Sequence, residues 1–290
     1  MGGLKMQNRR TFIRNIALGT TGLMVAPTFS TFAAKGKTKL TILHTNDMHC
    51  HLESFTGGRY DGKGGLTNLC RMVDKIRKQE DNVLLLDAGD MFQGTPYFNF
   101  YKGELMIKLM SEVGYDAGTI GNHEFDNGLE GIANVLPKAK FPIVNANYDF
   151  SETILKDTFK PYTIVNKAGL KVGIYGIGIE LHGLVAPTNY GKTHFENPVS
   201  AALDIEAELK EEGCDLIICL SHLGHKYKGD DISDYTLAGA TKNTDLIIGG
   251  HTHTFLKEPV ALSNKEGKQV LVGQAGWGAL MLGRIDLWFD

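Results

Sequence analysis

From Lys39 onward the chain alternates short apolar runs with amphipathic stretches. Leu40-Thr41-Ile42-Leu43-His44-Thr45 reads as a strand, followed by a glycine-rich loop and a helix from about Leu66 to Lys78. Val83-Leu84-Leu85-Leu86 is wholly apolar and of strand length, the pattern of a strand buried on both faces. From Gly103 to Val113, Leu105, Met106, Leu109 and Met110 share one helical face. The alternation continues through a strand at Ala117–Thr119, a helix near Leu129–Leu136 and a strand at Pro142-Ile143-Val144. A helix at Val199–Glu211 then precedes the strand Leu216-Ile217-Ile218-Cys219-Leu220. After Leu246-Ile247-Ile248 the pattern turns to strands only, with a turn at Lys265-Glu266-Gly267. This order predicts an α/β layered domain with an added β region. No repeat or low-complexity segment breaks it, and nothing after residue 36 resembles a linker, so a single domain is expected.

Composition narrows the class. The 290 residues are 42% hydrophobic and 22% charged, which excludes disorder, collagen-like and disulfide-scaffold chains. Four cysteines (Cys50, Cys70, Cys214, Cys219) form no C-x-x-C pair, so they are expected to be small buried residues rather than cross-links. The net charge of −3 hides an asymmetry: residues 1–33 hold four cations (Lys5, Arg9, Arg10, Arg14) and no acid, so the rest carries −3 − 4, or −7. An acidic body has no footprint for nucleic-acid phosphate, which excludes a nucleic-acid polymer as the main partner.

Five of the predicted strands end in polar residues of metal-ligand type. They are Asn46-Asp47-Met48-His49, Asp87-Ala88-Gly89-Asp90, Gly121-Asn122-His123-Glu124, Ser221-His222 and Gly249-Gly250-His251-Thr252-His253. Each alone is a weak signal, but chance does not readily place all five at the edge where α/β folds bind ligands. In an extended segment residues i and i+2 point the same way, so Asp47 with His49, and His251 with His253, are expected to grip shared metal ions. Glycines 89, 121, 249 and 250 let the backbone turn tightly beside a ligand. Oxygen and imidazole donors without thiolate suit Zn, Mn, Fe or Co rather than a structural zinc. Two divalent ions against Asp47, Asp90 and one bridging hydroxide leave a net positive site, ready for an anion such as phosphate. Paired metals generate hydroxide near neutral pH and clamp both oxygens of an in-line displacement, the chemistry of phosphate-ester hydrolysis.

D-x-H, G-D, G-N-H-E, S-H and G-H-x-H, in this order, resemble the calcineurin-like metallophosphoesterases. Gly89-Asp90-Met91-Phe92-Gln93-Gly94-Thr95-Pro96 and Gly121-Asn122-His123-Glu124-Phe125-Asp126 are similar to the bacterial 5′-nucleotidase / UDP-sugar hydrolase branch. The resemblance covers the chain from residue 34 to 290 and implies a four-layer α/β/β/α sandwich with mixed sheets. It further implies two divalent ions, one held by Asp47, His49, Asp90 and His253 and the other by Asp90, Asn122, His222 and His251, with Asp90 bridging. His123 would stand beside them and assist the leaving oxygen, kept cationic by a carboxylate; Asp126 matches the branch's pattern, and Glu124 is the competitor. Substrate-binding residues are not read from the sequence. The expected substrate is a small phosphate monoester, foremost a 5′-nucleotide. Branch members continue into a second, nucleoside-binding domain; here that domain is expected to be absent, and three explanations stand open: a separate chain brings it, the chain is cut at the domain boundary, or the enzyme works alone with loose selectivity. Two other readings compete: a sulfate thiohydrolase of the same fold, and a non-catalytic metal-binding subunit. His44, His51, His182, His194 and His225 fall outside the pattern and are expected to be satisfied structural histidines, with support of the metal ligands the competing reading for His51 and His225. Gly191-Lys192-Thr193 and Gly176-Ile177-Gly178 lack the remaining glycines of nucleotide-binding loops.

The first 33 residues read as an address. Arg9-Arg10 with Phe12 two places on, a weakly apolar run from Ile16 to Phe29, and Thr31-Phe32-Ala33 resemble a twin-arginine export signal with a peptidase site. A general secretory signal is the competing reading. Either predicts an exported, periplasmic protein, and with no cysteine at the cleavage point no lipid or membrane anchor is expected.

Overall fold

The structure, a computed structural model, describes residues 38–229 and 231–290; the export segment expected over residues 1–33 lies outside the described residues. One sheet contains strands β1 (Thr38–Thr45), β2 (Val83–Asp87), β3 (Ala117–Gly118) and β12 (Gly283–Phe289), in the order β12-β1-β2-β3. The other contains β5 (Tyr162–Lys167), β6 (Leu170–Ile177), β8 (Leu216–Ser221), β9 (Leu246–Gly249), β10 (Val260–Ser263) and β11 (Gln269–Gln274), in the order β10-β11-β9-β8-β6-β5. A small ribbon pairs β4 (Tyr148–Asp149) with β7 (His194–Phe195). The helices are α1 (Leu66–Arg77), α2 (Pro96–Tyr101), α3 (Glu104–Val113), α4 (Gly128–Val135), α5 (Pro187–Tyr190), α6 (Pro198–Glu211) and α7 (Asp234–Ala240).

Side-chain alternation along the strands builds three apolar layers. Even-numbered residues of β1 and β2 (Leu40, Ile42, Leu84, Leu86) meet Ile174, Ile218, Leu220 and Ile248 between the two sheets. Odd-numbered Leu43, Val83 and Leu85 face the other way, onto Leu69, Val73 and Ile76 of α1 and Met106 and Met110 of α3. On the far side Tyr175, Ile217, Cys219 and Ile247 pack with Ala202 and Leu209 of α6 and Leu237 and Ala238 of α7. The result is the expected α/β/β/α sandwich with mixed sheets: β1 runs parallel to β2 and β2 to β3, β6 to β8, β8 to β9 and β9 to β11, while β12, β5 and β10 pair antiparallel.

Most expected elements occur within a residue or two of their predicted limits. Pro142-Ile143-Val144 does not form a strand. It makes only the isolated bridges Gly118↔Ile143 and Val144↔Lys160, because this segment crosses between elements, with Thr119 Oγ1 donating to the Val144 carbonyl (2.7 Å). The β5–β6 hairpin and α7 were not singled out in the sequence. The hairpin turns on Ala168 and Gly169 at φ 58° and 75°, and α7 is short but held by a Ser233–Thr236 capping box. None of the four cysteines is in a disulfide, as their irregular spacing predicts; Cys50, Cys214 and Cys219 are buried and Cys70 is half-buried.

Candidate metal centre

The ligand-type residues lie at the carboxyl ends of β1, β2, β3, β8 and β9, so both sheets deliver side chains to one edge. Cross-links between the loops align them. Asp47 N–H donates to Gly89 O (2.8 Å), His49 N–H to Asp90 O (3.0 Å), and His251 N–H to both carboxylate oxygens of Asp47 (3.1 and 3.0 Å). His123 N–H donates to Asp90 Oδ1 (2.8 Å). Asn46, adjacent to the ligand pattern, clamps Asp47: its Nδ2 donates to Asp47 Oδ2 and Gly276 O (each 2.6 Å) and its Oδ1 accepts from Ala275 N–H (2.7 Å).

Two clusters of donor atoms result, Asp47/His49/His253 and Asp90/His222/His251, with the donors of each within 4.8 Å of one another. Asn122 joins the second, its Oδ1 2.9 Å from His251 Nδ1. His251 and His253 therefore part company, contrary to the spacing argument that they share an ion. The reason is conformational: the segments are not extended. Asp47, His49, Asp90, His251 and His253 all have left-handed φ, between 47° and 69°. That region is costly for residues other than glycine and is held only where surrounding structure over-determines it, typically at functional sites.

Three observations bear on whether divalent ions fit. His49 Nε2 and His253 Nε2 face each other at 3.0 Å, with Asp47 Oδ1 3.3 Å from His253 Nε2, a convergence of lone-pair donors on one point. His222 Nε2, fully buried, lies 3.0 Å from Asp90 Oδ2 but has no hydrogen-bond partner, the approach being close without hydrogen-bond direction. Gly121 keeps the space between them clear: a Cβ there would run into Asp90 Oδ1 and stand 2.5 Å from His222 Nε2. Charge agrees with geometry. Burial alone would strip the proton from His222 and push the Asp90 carboxyl up. Their mutual attraction reverses both, raising His222 and lowering Asp90, so the pocket selects for positive charge. The donors therefore fit a pair of divalent cations. His49 and His222 have their second ring nitrogens set by backbone carbonyls, Phe92 O (3.2 Å) and Ala88 O (2.7 Å).

Beside the clusters, His123 Nδ1 lies 2.8 Å from Asp126 Oδ2. Burial opposes its positive charge, but the Asp126 hydrogen bond and the charges of Asp90, Asp126 and Glu124 raise its pKa to about 9. Glu124, the competing partner, turns the other way. It is buried and accepts N–H groups from Gly121 (2.6 Å) and Asp90 (3.0 Å) on one oxygen and from Phe92 (3.1 Å) on the other, tying two ligand loops together. Among histidines expected to be satisfied, His44 and His225 each have a buried Nδ1 without a partner. Sequence reasoning also passed over Asn46 as a clamp and Trp277. The first was visible as the polar residue preceding Asp47; the second carried no signal beyond being a tryptophan among glycines.

Residues 40–255 match the family described as calcineurin-like phosphoesterase. The snake venom 5′-nucleotidase of Gloydius brevicauda is 36% identical over 280 residues, covering 89% of this chain and 46% of the relative. Among solved structures, a 5′-nucleotidase precursor from Thermus thermophilus superposes with a TM-score of 0.75 at 36% identity, covering 86% of this chain and 51% of that one. The NAD nucleotidase of Haemophilus influenzae gives a TM-score of 0.77 at 29% identity over 88% of this chain and 54% of that one. The chain thus spans about half the length of the relatives it matches.

Proposed function

The chain belongs to the calcineurin-like phosphoesterase family, and from that premise we propose that it is an exported, metal-dependent hydrolase of phosphate monoesters, foremost 5′-nucleotides. The observation that carries this reading is the convergence of the two His/Asp clusters with the His123–Asp126 pair on one sheet edge. Asp47, His49, Asp90 and His253 would hold one divalent ion and Asp90, Asn122, His222 and His251 the other, Asp90 being shared. Bound there, the ions supply an activated water near neutral pH and positive charge for the phosphoryl oxygens. The protein's own part is positioning and proton delivery, since phosphoryl transfer requires little covalent participation from side chains. With Nδ1 tied to Asp126, His123 keeps Nε2 as the nitrogen that holds a proton for the ester oxygen as its bond to phosphorus breaks.

A nucleoside leaving group, that is a 5′-nucleotide substrate, is supported by the relatives, which bear the name 5′-nucleotidase over a match of half their length. Export rests on the arginine pair and apolar run of residues 1–33; no described helix is long and apolar enough to cross a membrane.

Phosphate release from AMP and from an aryl phosphate, with Mn2+ or Zn2+ added to the full chain, tests the reading. Hydrolysis should vanish on chelation and return with metal. Gly121→Ala, which pushes a methyl between Asp90 and His222, should lower it at least about 10-fold without loss of fold. Metal-loaded protein that releases phosphate from neither ester would overturn the proposal, and a strong preference for AMP would establish nucleoside recognition.

A further inference from the structure

His253 differs from His49 and His222 in how it is oriented. A metal-binding imidazole normally donates its second N–H to a carbonyl or carboxylate, which fixes the ring plane. His49 and His222 do so through Phe92 and Ala88. His253 Nδ1 has no hydrogen-bond partner among the described residues, and its side chain is 39% exposed, so neither a bond at that nitrogen nor burial sets the ring. Its backbone is set, because Thr252 Oγ1 (3.1 Å) and Thr254 N–H donate to Gln274 Oε1, but the ring torsion is not.

What meets the ring is Trp277, stacked on it with centroids 5.6 Å apart and planes 13° from parallel. Trp277 is itself held edge-on by Phe55 (5.1 Å, 81°) and His51 (5.3 Å, 79°), which stack on each other at 4.3 Å. The loop carrying it is pinned to the ligand strand at both ends. Ala275 N–H and Gly276 O bond Asn46, Gly278 N–H donates to Asp47 O (2.8 Å), and Gly278 O accepts from Gly65 N–H (2.9 Å). Glycines permit this closeness: a Cβ at Gly278 would stand 2.7 Å from the Phe55 ring, and Gly278 has φ 57°. The indole is thus a fixed wall, and a flat wall restricts a flat ring to one plane.

We propose that Trp277 is a positioning residue for the metal centre, holding the His253 imidazole by stacking where His49 and His222 use a hydrogen bond. The inference rests on the metal-centre reading above, and the test separates the two. Mn2+ binding to the full chain is measured by equilibrium dialysis with metal analysis. Trp277→Leu should weaken one of two bound ions 10–100-fold, the range for losing an outer support of a ligand, and leave the other unchanged. Trp277→Phe, which keeps a flat face, should recover most of that affinity. His253→Ala should weaken the same ion, and Trp277→Leu added to it should cost nothing further, because the ring to be held is gone. If Trp277→Leu binds both ions as the wild type does, or if the two losses add, the proposal fails. If His253→Ala leaves both ions in place, the metal-centre reading fails instead. Should Trp277→Leu not fold, fluorescence decides. Trp277 and Trp288 are the two tryptophans, so in Trp288→Phe the emission of Trp277 should change on adding Mn2+ and no longer do so when His253→Ala is combined with it. Emission indifferent to Mn2+ in the presence of His253 overturns the proposal.

Discussion

His123 and Glu124 are neighbours in sequence with opposite tasks. The imidazole points to Asp126 at the rim, while the Glu124 carboxylate turns inward and accepts three backbone N–H groups. If His123 delivers the proton to the leaving oxygen, His123→Ala should lower kcat for AMP by about 100-fold or more, the usual scale of general-acid assistance. Asp126→Asn should give a smaller loss, as it removes only the group that orients and charges the ring. Unchanged kcat in His123→Ala would remove His123 from the mechanism. The residue types in G-N-H-E-F-D could be read from the sequence. Which carboxylate faces the imidazole could not, because the segment coils as a 3₁₀ helix, His123–Asn127, that sends positions i+1 and i+3 to different sides.

Glu124 also shows what the loops do as elements. The turns after β2 and β3 share it, and neither has regular hydrogen bonding of its own at that point. Glu124→Ala would leave Gly121, Asp90 and Phe92 N–H groups without their acceptor in a buried site. The expected cost is about 1–3 kcal/mol for each group not reached by water. Denaturant titration of the metal-free chain should show this loss, together with weaker Mn2+ binding. Wild-type stability in Glu124→Ala would mean that the two loops are held by other contacts. At this scale the apolar runs announced β2, β8 and β9, since strands buried on both faces are written almost wholly in aliphatic residues. The β5–β6 hairpin was less visible because β5 is half-buried along most of its length and lacks that signal. Pro142–Val144 misled for the opposite reason: it is apolar, but of its three residues only Val144 is buried, and it pairs at isolated bridges rather than along a ladder.

Stability of the whole molecule depends on the two sheets staying in contact, and His44 of β1 stands in that contact. It is buried, and its ring occupies space left open by Gly273 of β11 and Gly283 of β12. Burial lowers its pKa from 6.5 to about 4. Between those values the unfolded chain binds a proton that the folded chain refuses, so stability falls as pH drops through this window. The loss from this one group is about 2 kcal/mol by pH 5. Urea unfolding at pH 7 and pH 5 should show a smaller fall in His44→Leu than in the wild type; equal falls would refute the assignment. His44 could be found in the sequence as one polar residue in an apolar strand, but its want of a partner could not, because that depends on which strands of the other elements carry glycine opposite it. The same division holds throughout. Residue order was enough for the layered α/β class, the strand-end polar clusters and the donor chemistry, because burial and ligand type are properties of local residue patterns. Residue spacing alone placed His251 with His253 and left the partner of His123 open; the resemblance put the two histidines on different ions and Asp126 ahead of Glu124, and three contacts are seen only in space: the separate clusters of His251 and His253, Asp126 meeting His123, and Trp277 walling His253. Each of these is set by left-handed turns and by contacts between loops from two sheets, distances that no spacing along the chain encodes.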